Sequence, residues 1–90
     1  MVSKDFARYF AEAVRRQRKA KGLTQETLAE KADLASKMIS LIERAERNPS
    51  VNVAHSVALG LGIPLWRLVK DAEDLKRERA TAKRSRASRQ

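Results

Sequence analysis

Polar and basic side chains recur at helical spacing between residues 35 and 45. Placed at about 100° steps around a helix, five residues share one face: Ser36, Lys37, Ser40, Leu41 and Arg44. Lysine can donate to guanine O6 and N7, serine can pair with several base edges, and leucine can contact a thymine methyl. A helix that carries such a face outward can enter the major groove of B-DNA.

The same face also fits an ordinary solvated surface, because exposed lysine and arginine are common on helices. Ala35, Ile39 and Ile42 fall on the opposite face and are expected to pack inward. Two amphipathic helices joined by a turn occur in many all-α domains. Periodicity alone therefore leaves both base contact and simple solvation open.

A shorter helix and a turn precede this segment. Thr24 can cap the shorter helix, because its hydroxyl can accept a hydrogen bond from a backbone N–H one turn on. In the apolar strip that follows, the small Ala29 would let another helix approach closely. Asp33 tolerates left-handed backbone better than most residues and can turn the chain. Residues 24–49 thus fit a helix, a tight turn and a second helix at about residues 35–45.

Three further helices are predicted from apolar stripes at helical spacing. They are expected within residues 1–21, from about Val51 to Leu61, and from Leu65 to about Leu75. Gly22 is typical of the end of a helix, and Ser50 is typical of a helix cap. Ninety residues make one domain. The sequence therefore predicts an all-α fold of five helices in a domain at residues 1–75.

Most of the net charge of +9 lies at the C-terminus. Residues 76–90 hold seven basic residues and one acidic residue, whereas residues 1–75 hold thirteen basic and ten acidic residues. No apolar periodicity continues into residues 76–90, so their composition predicts a disordered or fraying basic tail. Such a tail could bind phosphate nonspecifically or could serve solubility. The body is only mildly basic, so its charge alone is weak support for DNA binding.

The sequence carries no recognisable catalytic equipment. It has no cysteine, a single histidine at position 55 and no glycine-rich phosphate loop, so we expect no enzyme, no metal site and no cofactor. It has no apolar run of about 18 residues that would predict a membrane span. The N-terminus has no signal-peptide pattern, and the absence of cysteine suits the reducing cytoplasm.

Three sequence blocks carry a resemblance to a known family: GLTQETLAEKA, ISLIERAERNPS and ALGLGIPLWRL. In their order and spacing they resemble the phage-repressor-type, or xenobiotic-response-element, helix-turn-helix family. The resemblance covers roughly residues 10–70 and extends to small repressors and to controller proteins of restriction-modification systems. It implies a compact five-helix, lambda-repressor-like DNA-binding domain followed by the basic tail.

The resemblance also implies roles for individual residues. Bases would be read by Ser36, Lys37 and Leu41, with Ser40 beside them. The DNA backbone would be contacted at both ends of the motif, by Thr24, Gln25, Arg44, Arg47 and Asn48. The polar groups of the loop at residues 46–50 could equally be ordinary loop residues. Gln25 would also brace the second helix, and Arg18 would form an ion pair with Glu43 that locks the first helix to it.

The fifth helix often forms the dimer contact in related proteins. Leu65, Trp66 and Val69 are therefore predicted at a homodimer interface, since tryptophan anchors interfaces well. Trp66 could equally cover the core of the monomer. The sequence leaves these two roles open.

The chain also departs from the family pattern at four positions. Asp33 and Ala45 stand where glycine is common, and Ala35 stands where a capping serine or threonine is usual. Leu41 is apolar at a base-reading position. We expect the fold to tolerate these changes, whereas the base preference of the reading helix cannot be taken over from the family.

The leading hypothesis is a sequence-specific DNA-binding transcriptional regulator that acts as a homodimer on double-stranded DNA. One alternative is an antitoxin that binds both a toxin partner and its own operator. Another is a bridging or nonspecific nucleic-acid-binding protein. DNA binding whose affinity falls strongly with salt concentration but does not depend on base sequence would favour the last alternative.

Overall fold

The computed structural model describes the backbone of residues 5–88 and the side chains of residues 5–82. Over this part of the chain the structure contains five helices and no strand. They are α1 (Asp5–Ala20), α2 (Gln25–Ala32), α3 (Ser36–Glu43), α4 (Val51–Leu61) and α5 (Leu65–Ser88). The predicted all-α fold of five helices is confirmed.

Local signals in the sequence set several helix ends. The Thr24 hydroxyl accepts from the Thr27 N–H at 3.0 Å, and the Ser50 hydroxyl accepts from the Val53 N–H at 3.1 Å, so both predicted caps are confirmed. Asp33 ends α2 in left-handed backbone with φ of 57°, as predicted for this turn. Its backbone N–H bonds to the carbonyl of Glu30 at 3.2 Å. The turn before α3 is therefore built from local hydrogen bonds.

The core is formed by one apolar stripe from each helix. Among the side chains that are almost fully buried are Val14, Leu28, Ile39, Ile42, Val57, Leu61 and Leu68. Helix α1 packs mainly against α5, while α2 packs against both α3 and α4. Helix α3, which the sequence predicts to be the reading helix, is thus held on the domain by its apolar side, which leaves its polar side available.

Helices α2 and α4 approach each other closely at Gly60. A Cβ atom built on Gly60 would lie 3.0 Å from both the Cβ and the backbone nitrogen of Ala32. The sequence suggested that Ala29 would permit close approach of a helix. Ala29 is buried, but the tight glycine contact lies one turn further along α2.

The structure corrects the predicted extent of the reading helix. It spans Ser36–Glu43 rather than about residues 35–45. Ala35 precedes the first turn in extended backbone and is exposed, so it does not share the buried face of Ile39 and Ile42. At the other end Ala45 has φ of 58°, which a continuing right-handed helix does not allow.

Helix α5 continues to Ser88, through much of the segment that the sequence predicted to be disordered or fraying. Residues 1–4 and 89–90 lie outside the described residues, as do the side chains of residues 83–88. The division into a domain at residues 1–75 and a basic tail at residues 76–90 stays a prediction. Within the described part of the chain, no helix is long and apolar enough to cross a membrane.

Candidate nucleic-acid interface

The predicted base-reading residues lie on the outward side of α3. Ser36 and Lys37 are exposed in its first turn, while Ser40 and Leu41 are half-buried one turn later. Ala35 provides no side-chain hydrogen bond at the start of the helix. The side chains most accessible to a ligand are therefore at the N-terminal end of α3.

A buried ion pair ties α3 to α1. Arg18 Nε donates to Glu43 Oε2 at 2.7 Å, and Arg18 Nη2 donates to Glu43 Oε1 at 3.0 Å. The two side chains are only 12% and 3% exposed. The predicted pair of Arg18 and Glu43 is thus present as a two-pronged contact, the strongest geometry for these groups.

Further hydrogen bonds extend this pair into a network that includes α2. Gln25 Nε2 donates to Glu43 Oε1 at 3.1 Å, and Arg18 Nη1 donates to the carbonyl of Leu23 at 2.9 Å. Arg18 thus contacts both the segment before α2 and the end of α3, while the first residue of α2 is bonded to Glu43. The orientation of α3 is therefore set by side chains from α1 and α2 as well as by its own apolar face.

The network also stabilises the charged form of its arginine. The hydrogen bonds to the Glu43 carboxylate raise the pKa of Arg18 above its ordinary value, against the opposing effect of burial. A charged and hydrogen-bonded pair satisfies both groups in a site from which water is largely excluded. The described side chains contain no fully buried polar atom that lacks a hydrogen-bond partner.

The predicted phosphate-contacting residues lie at the start of α2 and after the end of α3. Thr24 is exposed and its hydroxyl is engaged in capping α2, whereas half-buried Gln25 is turned toward Glu43. Arg44, Arg47 and Asn48 are exposed in the segment that leaves α3. Arg44 Nε lies 3.2 Å from Glu46 Oε2 at the surface.

Arg15, for which the sequence indicates either a solvated side chain or a position near phosphate, also belongs to this region. Its Nη1 donates to the backbone carbonyl of Glu43 at 3.1 Å, across 28 positions of the chain. A cation at the C-terminal end of a helix is favourable, because the last carbonyl groups carry partial negative charge. No motif could have revealed this contact, because the acceptor is a main-chain atom.

The predicted dimer residues lie on a second, apolar surface. Trp66 is 64% exposed, and Leu65 and Val69 are half-buried against the core. Leu65 and Val69 line a groove of about 410 Å³, together with side chains from the start of α1 and of α4. Trp66 therefore does not close off the monomer core, which was the alternative role for it.

Comparison with known proteins agrees with this geometry. Residues 14–65, more than half of the chain, match the helix-turn-helix family HTH_3. The chain belongs to the helix-turn-helix family. The match begins within α1 and reaches the first residue of α5, so it includes the reading helix and most of the elements that hold it.

Two relatives illustrate what this helix-turn-helix chain is similar to in sequence. It is 41% identical over 68 residues to an immunity repressor protein of Bacillus phage phi105, a match that covers 76% of this chain but 45% of the repressor. It is 31% identical over 74 residues to the HTH-type transcriptional regulator y4dJ of Sinorhizobium fredii, and this match covers 82% of this chain and 86% of the regulator. The helix-turn-helix chain thus spans less than half of the phage repressor's length.

Solved structures of helix-turn-helix proteins have the same fold. The restriction-modification controller protein C.AhdI of Aeromonas hydrophila superposes with a TM-score of 0.67 at 35% identity, over 69% of this chain and 94% of that protein. The clp gene regulator ClgR of Corynebacterium glutamicum gives a TM-score of 0.72 at 26% identity, over 77% and 90% of the two chains. The predicted resemblance to small repressors and controller proteins is confirmed. These relatives are regulators and repressors rather than enzymes, in agreement with the sequence-based expectation.

Proposed function

We propose that this chain is a sequence-specific DNA-binding transcriptional regulator that inserts α3 into the major groove as a homodimer. The observation that carries this proposal is the buried network of Arg18, Gln25 and Glu43, which holds α3 from both neighbouring helices while its polar side stays outward. A regulator of this kind would act in the cytoplasm. Its transcriptional effect would follow from where its operator lies.

The two ends of the motif suit contacts with the DNA backbone. In the sequence, the start of α2 precedes α3 and the basic segment follows it. In space, the hydrogen bond between Gln25 and Glu43 connects the start of α2 to the end of α3. Arg44 and Arg47 are exposed cations at the second end. Backbone contacts at both ends would position α3, and Lys37 with its neighbours would supply base contacts.

The apolar surface around Trp66 supports assembly into a dimer. An exposed tryptophan beside an apolar groove is typical of an interface anchor and unusual for a free surface. A two-fold dimer would present two reading helices to half-sites about one helical turn apart. This spacing links the oligomeric state to the form of the operator.

Selection of binding sites from random duplexes tests the proposed function. At about 150 mM salt, which weakens nonspecific binding, we expect enrichment of a two-fold-symmetric site with half-sites about 10 base pairs apart. Binding without any enriched sequence would contradict the proposal. It would instead favour a bridging or nonspecific nucleic-acid-binding role.

The antitoxin alternative predicts a protein partner that a self-contained dimer does not need. It requires a stable complex with a second protein in addition to operator binding. Co-purification of a toxin with the full chain from its native host, together with displacement of Trp66 from solvent in that complex, would support the antitoxin role over a self-contained dimer.

Replacing Lys37 with alanine is expected to weaken binding to the selected site by about 1–3 kcal/mol, because a base contact is lost. Binding to random duplexes should change much less. Fluorescence anisotropy titrations on both duplexes provide the measurement. Lys70→Ala is the control, because it removes an exposed lysine from α5, where Lys70 pairs with Asp74. An equal loss on both duplexes would remove Lys37 from the base-reading set.

Replacing Trp66 with alanine is expected to weaken the dimer by at least tenfold in Kd, or about 1.4 kcal/mol, if Trp66 is an interface anchor. Sedimentation equilibrium measures the change. Leu59→Ala is the matched control, because Leu59 is 63% exposed on α4 and lines no part of the groove beside Trp66. A dimer that tolerates Trp66→Ala but not Leu59→Ala would place the interface elsewhere.

A further inference from the structure

A second basic site lies beside the reading helix, in a cleft of about 600 Å³ where α1, the end of α3 and α5 meet. Four arginines and two glutamates provide its charged lining: Arg8, Arg15, Arg44, Arg79, Glu12 and Glu43. Three of these arginines, Arg8, Arg15 and Arg79, are outside the predicted phosphate-contacting set. The cleft is therefore not explained by the helix-turn-helix motif alone.

Both glutamates of the cleft are already paired with arginines. Glu43 accepts hydrogen bonds from Arg18. Glu12 accepts two hydrogen bonds of 2.8 Å from Arg79 and also lies 2.7 Å from Arg16. The hydrogen bond from Arg79 lowers the pKa of Glu12 below its ordinary value, so this carboxylate stays charged and paired. The remaining positive charge of the cleft comes from Arg8 and Arg15, together with Arg44, whose Nε also lies 3.2 Å from the exposed carboxylate of Glu46.

These arginines line one cleft and offer several N–H donors to an anionic ligand. Arg8 and Arg15 are seven residues apart on one face of α1, which separates them by about 10 Å along the helix axis. Arg15 uses Nη1 to bind the carbonyl of Glu43 and keeps further N–H donors. Arg44 follows Glu43 directly and is exposed. Planar guanidinium groups bind phosphate oxygens through paired hydrogen bonds.

Arg79 joins the basic C-terminal segment to the same cleft. Besides its two bonds to Glu12, its guanidinium carbon lies 5.9 Å from the centre of the Tyr9 ring. These contacts fix the last part of α5 whose side chains are described against the start of α1. The basic part of α5 therefore begins next to Arg8 rather than on the far side of the domain.

We propose that the cleft of Arg8, Arg15 and Arg44 binds a backbone phosphate of DNA that lies outside the bases read by α3. This inference rests on the proposed function. A free phosphate ion offers the same chemistry, but the cleft adjoins the residue that directly follows the reading helix, where the backbone of bound DNA would continue. Arg79 acts as a positioning residue, because it occupies Glu12 and so prevents that carboxylate from repelling the phosphate.

The test uses Arg8→Gln and two duplexes of the selected operator. One duplex ends at the outer edge of each half-site, and the other extends about 8 base pairs further at each end. Arg8 is exposed, so the variant should keep the fold and its thermal midpoint. Lys70→Gln, which removes one positive charge from α5 outside the cleft, is the control.

On the extended duplex, Arg8→Gln is expected to bind about fivefold more weakly per protomer at 0.15 M salt, with a salt slope smaller by about 0.9. On the short duplex, it should bind like the wild type. Lys70→Gln should match the wild type on both. Equal binding of Arg8→Gln and wild type to both duplexes would overturn the phosphate site.

Two further results are informative. One distinguishes a free phosphate ion from a DNA phosphate as the ligand, and the other tests the proposed function on which the site depends. If inorganic phosphate raises the thermal midpoint of the wild type but not of Arg8→Gln, while duplex length has no effect, the cleft binds a free anion and not DNA. If the wild type does not distinguish the operator from a scrambled duplex, the proposed function fails, and the flanking phosphate site fails with it. Loss of the length effect alone contradicts only the flanking site.

Discussion

Glu43→Ala is expected to lower the free energy of unfolding by about 3–5 kcal/mol. The substitution leaves the guanidinium of Arg18 largely buried without its carboxylate, and an uncompensated buried charge is costly. It also removes the acceptor of Gln25, so the hydrogen bond between α2 and α3 is lost. Urea denaturation followed by circular dichroism measures the change.

Glu46→Ala is the matched control for this prediction. Glu46 also pairs with an arginine, Arg44, but both side chains are more than half exposed. Surface ion pairs contribute little, so the control should change stability by less than about 1 kcal/mol. Similar losses of unfolding free energy for the two variants would show that the network of Arg18, Gln25 and Glu43 does not stabilise the fold more than a surface ion pair does. The orientation of α3 would then depend on apolar packing alone.

Short-range features of the fold were predictable from the sequence because their causes are local. Thr24 and Ser50 cap helices through N–H groups three residues on, and the left-handed turn at Asp33 depends on the residue itself. The buried stripe of α4 follows from helical spacing. These features need no knowledge of which helix packs on which.

Contacts between distant parts of the chain were harder to predict. The pair of Arg18 and Glu43 was expected only through the resemblance to a family, because nothing in composition joins positions 25 residues apart. The bond from Arg15 to the Glu43 carbonyl has no side-chain partner that a pattern could reveal. The base-reading set stays a prediction, since exposure on α3 is necessary for base contact but does not demonstrate it.

The C-terminal segment shows the limit of composition as a guide. Residues 76–90 have no apolar stripe, and this pattern predicted a segment that is either disordered or a fraying helix when free. The helix nevertheless continues, and Arg79 pairs with Glu12, which is 67 positions away in the sequence. A charged side chain can hold a helix in place against a neighbouring helix when that neighbour offers a carboxylate and an aromatic ring. Such a partner is invisible until the packing of α1 on α5 is known.

Ile39→Ala is expected to lower the free energy of unfolding by about 2–5 kcal/mol, and Ile39→Val by about 0.5–1.5 kcal/mol. Ile39 is fully buried and is one of the two isoleucines that hold α3 on the domain. Removing three carbons leaves a cavity under the reading helix that neighbouring helices can fill only in part. The graded pair of substitutions tests packing, because neither changes a polar group or the net charge.

Leu41→Ala on the same helix separates packing from DNA recognition. Leu41 is half-buried on the outward side of α3, so its loss should cost less stability than the loss of Ile39. If Leu41 contacts a thymine methyl, Leu41→Ala should weaken binding to the selected site at a temperature where the protein is fully folded. Under the same conditions Ile39→Val should bind normally. The opposite pattern would be loss of binding in Ile39→Val and normal binding in Leu41→Ala. It would mean that DNA affinity depends on how α3 packs against the core and that Leu41 does not contact a base.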